Sequence, residues 1–275
     1  MPRPRTKKRL GQHFLSDARI LGRIAEAVEA GPADTVIEIG PGPGGLTAEL
    51  ARRAGRVIAI EKDRDLAAVL TGRWPNVTVV EGDALQTDWH RLAGLPGGGT
   101  SPAPGFRIAG NIPYNITSAL IDKALAPPRP TLVAFLVQRE VADRVAARPG
   151  SSAYGALSVG VQAAASVERV FRVGAGAFVP PPRVDSALIR LRPHGAPLVA
   201  DAAVVGFRRL VVGLFGYRRK QLLRGLRELT GWPADRCSAA LARAGLDPSA
   251  RPETLPPVAF AALHTVLVDG GWAAR

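Results

Sequence analysis

TVIEIGPGPGGLT, residues Thr35–Thr47, decides the fold. Thr35–Ile39 is a short β-branched run that reads as a buried strand. It stops at Gly40, and glycines 40, 42 and 45 have the spacing of a G-x-G-x-x-G turn. Thr47–Ala54 then takes up a helical pattern. A second strand, Arg56–Ile60, ends on Glu61, 21 positions after Gly40. A carboxylate about 20 positions past the first glycine of a Rossmann-like turn grips ribose hydroxyls. The chain therefore binds a nucleoside-bearing cofactor.

NAD and S-adenosylmethionine both fit a glycine turn and a ribose-binding acid. A pyrophosphate, however, wants free backbone N–H groups at the start of the helix. Pro41 and Pro43 delete two of those donors, and Glu38 adds a negative charge that a sulfonium and an ammonium group would welcome. Those features favour S-adenosylmethionine.

Outward from this unit, Asn76–Val80 reads as a third strand ending in Glu81-Gly82-Asp83. An acid there can accept from a cofactor's adenine amino group, or simply cap the next helix. Gly94–Gly105 is rich in Pro, Gly and Ser and is expected to be a surface loop. Phe106–Ala109 is a fourth strand, and it breaks at GNIPYNITS, Gly110–Ser118. The Asn111 amide oxygen can accept one hydrogen of a planar amino group. Pro113 biases Ile112 to extended dihedrals, which leaves a backbone carbonyl for the other hydrogen. Tyr114 can lie against the ring that carries the amine. Together they describe a holder for the exocyclic amine of a flat heterocycle such as adenine N6. A strand-to-helix turn with a buried tyrosine is the plainer alternative.

Before the first strand, Ser16 is a candidate N-cap for a helix from Asp17 to Ala30. After the fourth, Ile116–Leu125 reads as helix, Thr131–Val137 as a buried strand and Gln138–Arg148 as an amphipathic helix. Leu157–Val173 is small and apolar with a β-rich end, and Asp185–Leu191 alternates like a last strand. Beyond Pro193–Pro197 only helical patterns remain: Ala202–Phe215, Arg218–Leu229, Ala234–Ala244 and Val258–Val268. The expected architecture is α/β, a Rossmann-like, mainly parallel sheet with a small all-helical C-terminal domain. The expected boundaries are 1–16 for a basic arm and cofactor-covering motif, 17–192 for the catalytic domain and 193–275 for the helical domain.

The chain has 275 residues and a net charge of +13, with one cysteine and four scattered histidines. An excess of that sign points to a polyanion. Arg3, Arg5, Lys7, Lys8 and Arg9 crowd the start, and Arg208, Arg209, Arg218, Arg219, Lys220, Arg224 and Arg227 a later segment, of which Arg218–Arg227 is expected to be one helix contacting phosphates. A single cysteine excludes an internal disulfide, no metal-ligand spacing occurs, and no run reaches the ~18 apolar residues of a membrane span. A cytoplasmic location is expected.

The blocks LGQHFL (10–15), EIGPGPGGLT (38–47), IEKD (60–63), EGDAL (81–85), GNIPYNITS (110–118), LVQREVADR (136–144), SAYGALSV (152–159), FVPPPRVDSALIRL (178–191) and RRKQLLRGL (218–226) span nearly the whole chain. In order and separation the chain resembles the KsgA-type ribosomal RNA adenine dimethyltransferases. The family often has Asn where His13 stands and Leu where Ile112 stands, and neither swap removes a needed group.

The resemblance implies S-adenosylmethionine-dependent transfer of two methyl groups to N6 of each of two adjacent adenines near the 3′ end of 16S rRNA. The partner is the small subunit or its precursor, the chain acts as a monomer, and no membrane or metal is involved. The residues carried over for the cofactor are Gln12, His13, Leu15, Gly40, Gly42, Glu61, Lys62, Asp83, Ala84 and Asn111. Asn111, Pro113, Tyr114 and Phe178 would hold the target base, with Tyr114 and Phe178 as a stacking sandwich. Alternatives are an Erm-like methylase acting on 23S rRNA, which would confer macrolide resistance, and a non-catalytic rRNA-binding assembly factor.

Overall fold

A computed structural model describes residues 12–94 and 106–273. The basic arm Arg3–Arg9 and almost all of the Gly94–Gly105 loop lie outside the described residues. The strands are β1 (Phe14–Leu15), β2 (Thr35–Ile39), β3 (Arg56–Glu61), β4 (Val77–Glu81), β5 (Phe106–Asn111), β6 (Leu132–Gln138), β7 (Ala165–Val173), β8 (Phe178–Val179) and β9 (Ser186–Pro193). The helices are α1 (Ala18–Ala27), α2 (Gly45–Ala51), α3 (Arg64–Leu70), α4 (Trp89–Ala93), α5 (Thr117–Ala124), α6 (Arg139–Val145), α7 (Ala156–Gln162), α8 (Val204–Gly216), α9 (Leu222–Thr230), α10 (Ala234–Arg243) and α11 (Pro257–Asp269).

Seven strands form one sheet in the order β4-β3-β2-β5-β6-β9-β7. The pairs from β4 through β6 are parallel, and β9 runs antiparallel to β6. Strands covered on both faces carry near-continuous apolar runs. TVIEI, RVIAIE and LVAFLVQ behave so: β2, β3 and β6 are buried along almost their whole length. Ile24 and Val28 of the first helical segment pack with Leu46 and Leu50 of α2 against Val36, Val57 and Ala109. The strand order reverses between β2 and β5, and ligands of such sheets bind outside the carboxyl ends of the strands at that point. The register puts Ile39 beside Gly110. A Cβ on Gly110 would come within 2.5 Å of the Ile39 carbonyl oxygen, so only glycine lets the two strand ends approach this closely.

The chain divides into two compact units. One comprises residues up to Ala142 with Val167–Pro193, and the other Asp143–Ser166 with His194 onward. The expected boundary at 192/193 thus places Asp143–Ser166 in the wrong unit. The reason is packing. Tyr154 is fully buried and donates its hydroxyl to the Leu255 carbonyl at 2.7 Å, and Val159 clusters with Phe207, Leu210 and Leu226. α8 buries Phe207, Leu210, Val211 and Leu214, which share one helical face.

Three local expectations are corrected. The cap of α1 is Asp17, whose carboxylate accepts from Arg19 N at 2.9 Å and Ile20 N at 3.2 Å, while Ser16 donates to the Ala177 carbonyl. Gln138–Arg148 is helical only over α6. The stretch Arg218–Leu229 is not one helix, because Gln221 is extended (φ −60°, ψ 147°) and Leu222 N and Leu223 N bond to Ala250 O and Pro248 O. Arg218, Arg219 and Lys220 therefore sit in a turn ahead of α9.

Candidate active site

The cleft at the strand reversal is lined by Gln12, His13, Gly40, Gly42, Glu61, Lys62, Asp83, Ala84, Asn111, Pro113 and Tyr114, among others. Of the ten residues expected at a cofactor, only Leu15 is missing from it. Leu15 borders a smaller neighbouring cavity with Glu38, Gly40 and Asn111.

The N–H groups of the glycine turn are already committed. Gly40 N donates to Ile60 O at 3.0 Å, Gly42 N to Glu61 Oε2 at 3.0 Å and Gly44 N to Pro41 O at 3.0 Å. Pro41 and Pro43 have no N–H, so no donor from Gly40 to Gly44 is left over for a pyrophosphate. Gly40, Gly42 and Gly44 all have positive φ, at 66°, 57° and 89°. A Cβ on Gly42 would meet the Phe14 ring at 3.0 Å.

Glu61 is 6% exposed and also accepts from Asp63 N at 2.8 Å. Burial pushes its carboxyl up, against the pull of those two backbone N–H groups. Each carboxylate oxygen keeps a further lone pair for a hydroxyl. Asp83 accepts from Lys62 Nζ at 2.9 Å and from Leu85 N at 2.9 Å, and the Lys62 bond above all holds its carboxyl low. It is both a turn cap and a charged wall of the cleft. The turn behind it is fixed by a residue the sequence did not single out: Lys123, from α5, donates to Leu85 O at 2.8 Å and Thr87 O at 2.6 Å.

Glu38 corrects one expectation. It is 1% exposed, Oε2 has no hydrogen-bond partner, and burial pushes its carboxyl up to about 8. The Thr47 hydroxyl pulls the other way without meeting normal hydrogen-bond geometry, and the neighbouring Glu61 adds a small upward push. At neutral pH Glu38 is therefore protonated and offers no charge to a cation until one arrives to draw it out.

Asn111 Nδ2 donates to His13 O at 2.9 Å. That bond commits the amide's donor end to the backbone and leaves Oδ1 as its acceptor end. Pro113 O accepts from Ile116 N at 3.2 Å and Thr117 Oγ1 at 3.3 Å, so the carbonyl suited to an incoming amine is that of Ile112. The Tyr114 hydroxyl lies 3.2 Å from Ser186 Oγ, and burial raises its pKa, which makes it a surface and not a base. The His13 ring stacks on Tyr114 with centroids 5.8 Å apart and planes 23° apart, and its Nδ1 is 2.9 Å from Pro180 O.

Phe178 does not form the expected sandwich. It is 2% exposed, pairs with Leu15 across β1 and β8, and packs with Val173 and Leu188 in the core. The alternation that would have shown this is absent from a two-residue strand. Arg218 is likewise structural: its guanidinium meets Glu253 Oε2 at 2.5 Å and the Ser152 carbonyl at 3.1 Å, whereas Arg219, Lys220 and Arg224 are exposed.

The profile of the ribosomal RNA adenine dimethylases matches residues 3–261. The chain belongs to that family. Ribosomal RNA small subunit methyltransferase A of Moorella thermoacetica is 44% identical over 267 residues, 95% of this chain and 92% of the relative. The protein of the same name from Phenylobacterium zucineum is 42% identical and covers 94% and 86%. Among solved structures, a dimethyladenosine transferase from Plasmodium falciparum aligns with a TM-score of 0.82 at 26% identity, over 96% of this chain and all of that one. The 23S rRNA methyltransferase ErmE aligns with a TM-score of 0.69 at 33% identity, over 93% and 99%. The dimethylase is thus an rRNA-modifying enzyme, and its family and class I fold imply S-adenosylmethionine as donor. The cleft fits that cofactor: no backbone N–H from Gly40 to Gly44 is left for a pyrophosphate, and the Glu61 carboxylate that lines it keeps lone pairs for ribose hydroxyls.

Proposed function

We propose that this dimethylase methylates N6 of two adjacent adenines in the 3′-terminal hairpin of 16S rRNA, on the small ribosomal subunit or its precursor in the cytoplasm. The observation that carries the reading is the Asn111 amide, which lines the cleft with Tyr114 and whose nitrogen is committed to His13 O, leaving its oxygen as an acceptor. The small-subunit target is supported by relatives of 39–44% identity that carry that name over most of their length. No helix among the described residues is long and apolar enough to cross a membrane.

S-adenosylmethionine would be held by Gln12, His13, Gly40, Gly42, Glu61, Lys62, Asp83, Ala84 and Asn111, and it supplies an electrophilic methyl group. The protein's task is alignment. Adenine N6 is a poor nucleophile because its lone pair is delocalised into the ring. Accepting its two hydrogens at Asn111 Oδ1 and the Ile112 carbonyl favours a pyramidal nitrogen with its lone pair directed into the cleft. Positioning of this kind supplies much of the acceleration of a displacement. No strong base is needed, since the proton becomes acidic once nitrogen is alkylated. For the second transfer the amine has one hydrogen left, so one of the two acceptors goes unused. The base leaves its stack to enter, and Tyr114, steadied by Ser186, offers it a flat face. Exposed Arg219, Lys220 and Arg224 would contact phosphates.

The test is transfer of labelled methyl groups from S-adenosylmethionine to purified under-methylated small subunits, with large-subunit RNA in parallel. Four methyl groups per small subunit are expected. Labelling of large-subunit RNA alone would establish the Erm-like reading instead, and labelling of neither would leave an assembly factor.

Lys123 gives a second expected result. Lys123→Met strands the Leu85 and Thr87 carbonyls and loosens the turn that carries Asp83 and Ala84. A loss of about 1.5 kcal/mol in loop order corresponds to a roughly tenfold rise in KM for the cofactor. Steady-state kinetics with saturating particle reads it directly, and an unchanged KM removes Lys123 from the site.

A further inference from the structure

The short segment Gln12–Leu15 touches both halves of the cleft. On the donor side, Gln12 Nε2 donates to Asp63 Oδ2 at 3.3 Å, and Asp63 N donates in turn to Glu61 Oε1 at 2.8 Å. Phe14 packs against the glycine turn, where a Cβ on Gly42 would meet its ring at 3.0 Å. On the acceptor side, His13 alone makes three contacts. Its carbonyl accepts from Asn111 Nδ2 at 2.9 Å, its ring stacks on Tyr114 at 5.8 Å between centroids, and its Nδ1 lies 2.9 Å from Pro180 O. A carbonyl can only accept, so Nδ1 carries a hydrogen and the bond sets the ring's orientation.

Tyr114 is held at its far end as well. Its hydroxyl lies 3.2 Å from the Oγ of Ser186, a residue only 1% exposed. The phenol therefore has an anchored tip and a neighbour on one face, and its tilt follows the position of the imidazole. β1 is two residues long, and its ladder to β8 has two rungs. So short a ladder fixes little by itself, which leaves the side-chain contacts to seat the segment. Gln12, His13 and Glu61 all line the cleft. A ligand that touches them adds to those contacts and favours the seated arrangement.

We propose that His13 couples the two halves of the cleft: a donor bound against Gln12, His13 and Glu61 fixes the imidazole on Tyr114, and the aligned tyrosine takes the adenine on its other face. The inference rests on the methylation reading above and adds to it a mutual dependence of the two substrates. His13 acts on the base through Tyr114 and is a positioning residue for it. A particle that meets the empty enzyme is then held less tightly than one that meets the loaded enzyme.

The experiment uses the full chain, unmethylated small subunits and S-adenosylhomocysteine, which keeps the donor's nucleoside and amino-acid parts but has no methyl group to transfer. Filter binding is expected to show the particle held about tenfold more tightly when the nucleoside is present, and the nucleoside held more tightly by the same factor when the particle is present. His13→Asn deletes the ring but keeps the backbone carbonyl that holds Asn111, and should bring that factor down to about one. His13→Phe keeps a ring for the stack, loses the bond to Pro180 and should retain most of the factor. A ligand for the donor alone would lose nucleoside affinity in His13→Asn with the factor unchanged, and that result overturns the proposal. So does a nucleoside that weakens particle binding, since the base then has to displace the imidazole. If the unmodified chain shows the His13-dependent factor yet methylates no ribosomal RNA, the methylation reading fails and the coupling stands. Methyl transfer with a factor of about one sinks the coupling alone.

Discussion

Asn111→Ala lowers the rate of methyl transfer by at least ~10²-fold while leaving particle binding near that of the unmodified chain. Removing one pre-aligned hydrogen-bonding group from a reacting centre costs about 10²–10³ in kcat. In the proposed arrangement the Ile112 carbonyl takes the amine's other hydrogen, so it cannot also stand in for the amide. Its oxygen is aimed by the bond from its own nitrogen to His13 O, so Asn111→Asp is expected to fail as well. A carboxylate facing that carbonyl has no hydrogen to donate and is pushed out of position. The phosphate contacts proposed above lie elsewhere on the chain, so affinity for the particle should hold. Single-turnover transfer and filter binding, measured on the same preparations, separate the two effects. Transfer within threefold of the unmodified rate would show that the amine is held by other groups.

The second large effect is on stability and has a definite sign. Glu38 ionises near 4.5 in the unfolded chain and at about 8 when buried. Between those values the unfolded chain has released a proton that the folded chain retains, so folding stability falls as pH rises through the window and levels off above it. The slope is about 1.4 kcal/mol per pH unit. Glu38→Gln copies the protonated shape and cannot ionise. Its stability relative to the unmodified chain should therefore rise by roughly 3 kcal/mol between pH 5 and pH 7, and stop rising above about pH 8. Urea melts at pH 5, 7 and 8.5 provide the measurement, and a gap that stays constant with pH would show Glu38 ionised in the fold. The other buried carboxylate nearby, Glu61, is present in both proteins and largely cancels.

Much of this was legible in the residues, for identifiable reasons. β2, the glycine turn and Glu61 are local in sequence and obey a spacing rule, so strand, turn and the acid that lines the cleft could be placed without coordinates. Asn111 and Tyr114 were legible because a strand that ends on Asn-x-Pro-Tyr has few structural excuses. What escaped depends on distant partners. Glu38 reads as a charge in sequence, yet its protonation is set by the apolar layer around it. Phe178 reads as one side of a stacking sandwich, and only its pairing with Leu15 and its contacts in the core show it turned inward. Arg218 looks like one more phosphate ligand until Glu253 and the Ser152 carbonyl are found beside it. Lys123 carries no motif at all, and two carbonyls of another loop define its role.

The pairing of β1 with β8 also has a bearing on when the protein becomes competent. His13 and Pro180 are 167 positions apart and touch directly. The segment that walls one side of the cleft is touched by Asn111 and Tyr114 from the middle of the chain, but its strand partner arrives only with β8, when nearly two thirds of the polypeptide has left the ribosome that makes it. A nascent chain cut short before β8 would own every glycine and acid of the cleft and still lack the strand pairing that fixes this wall.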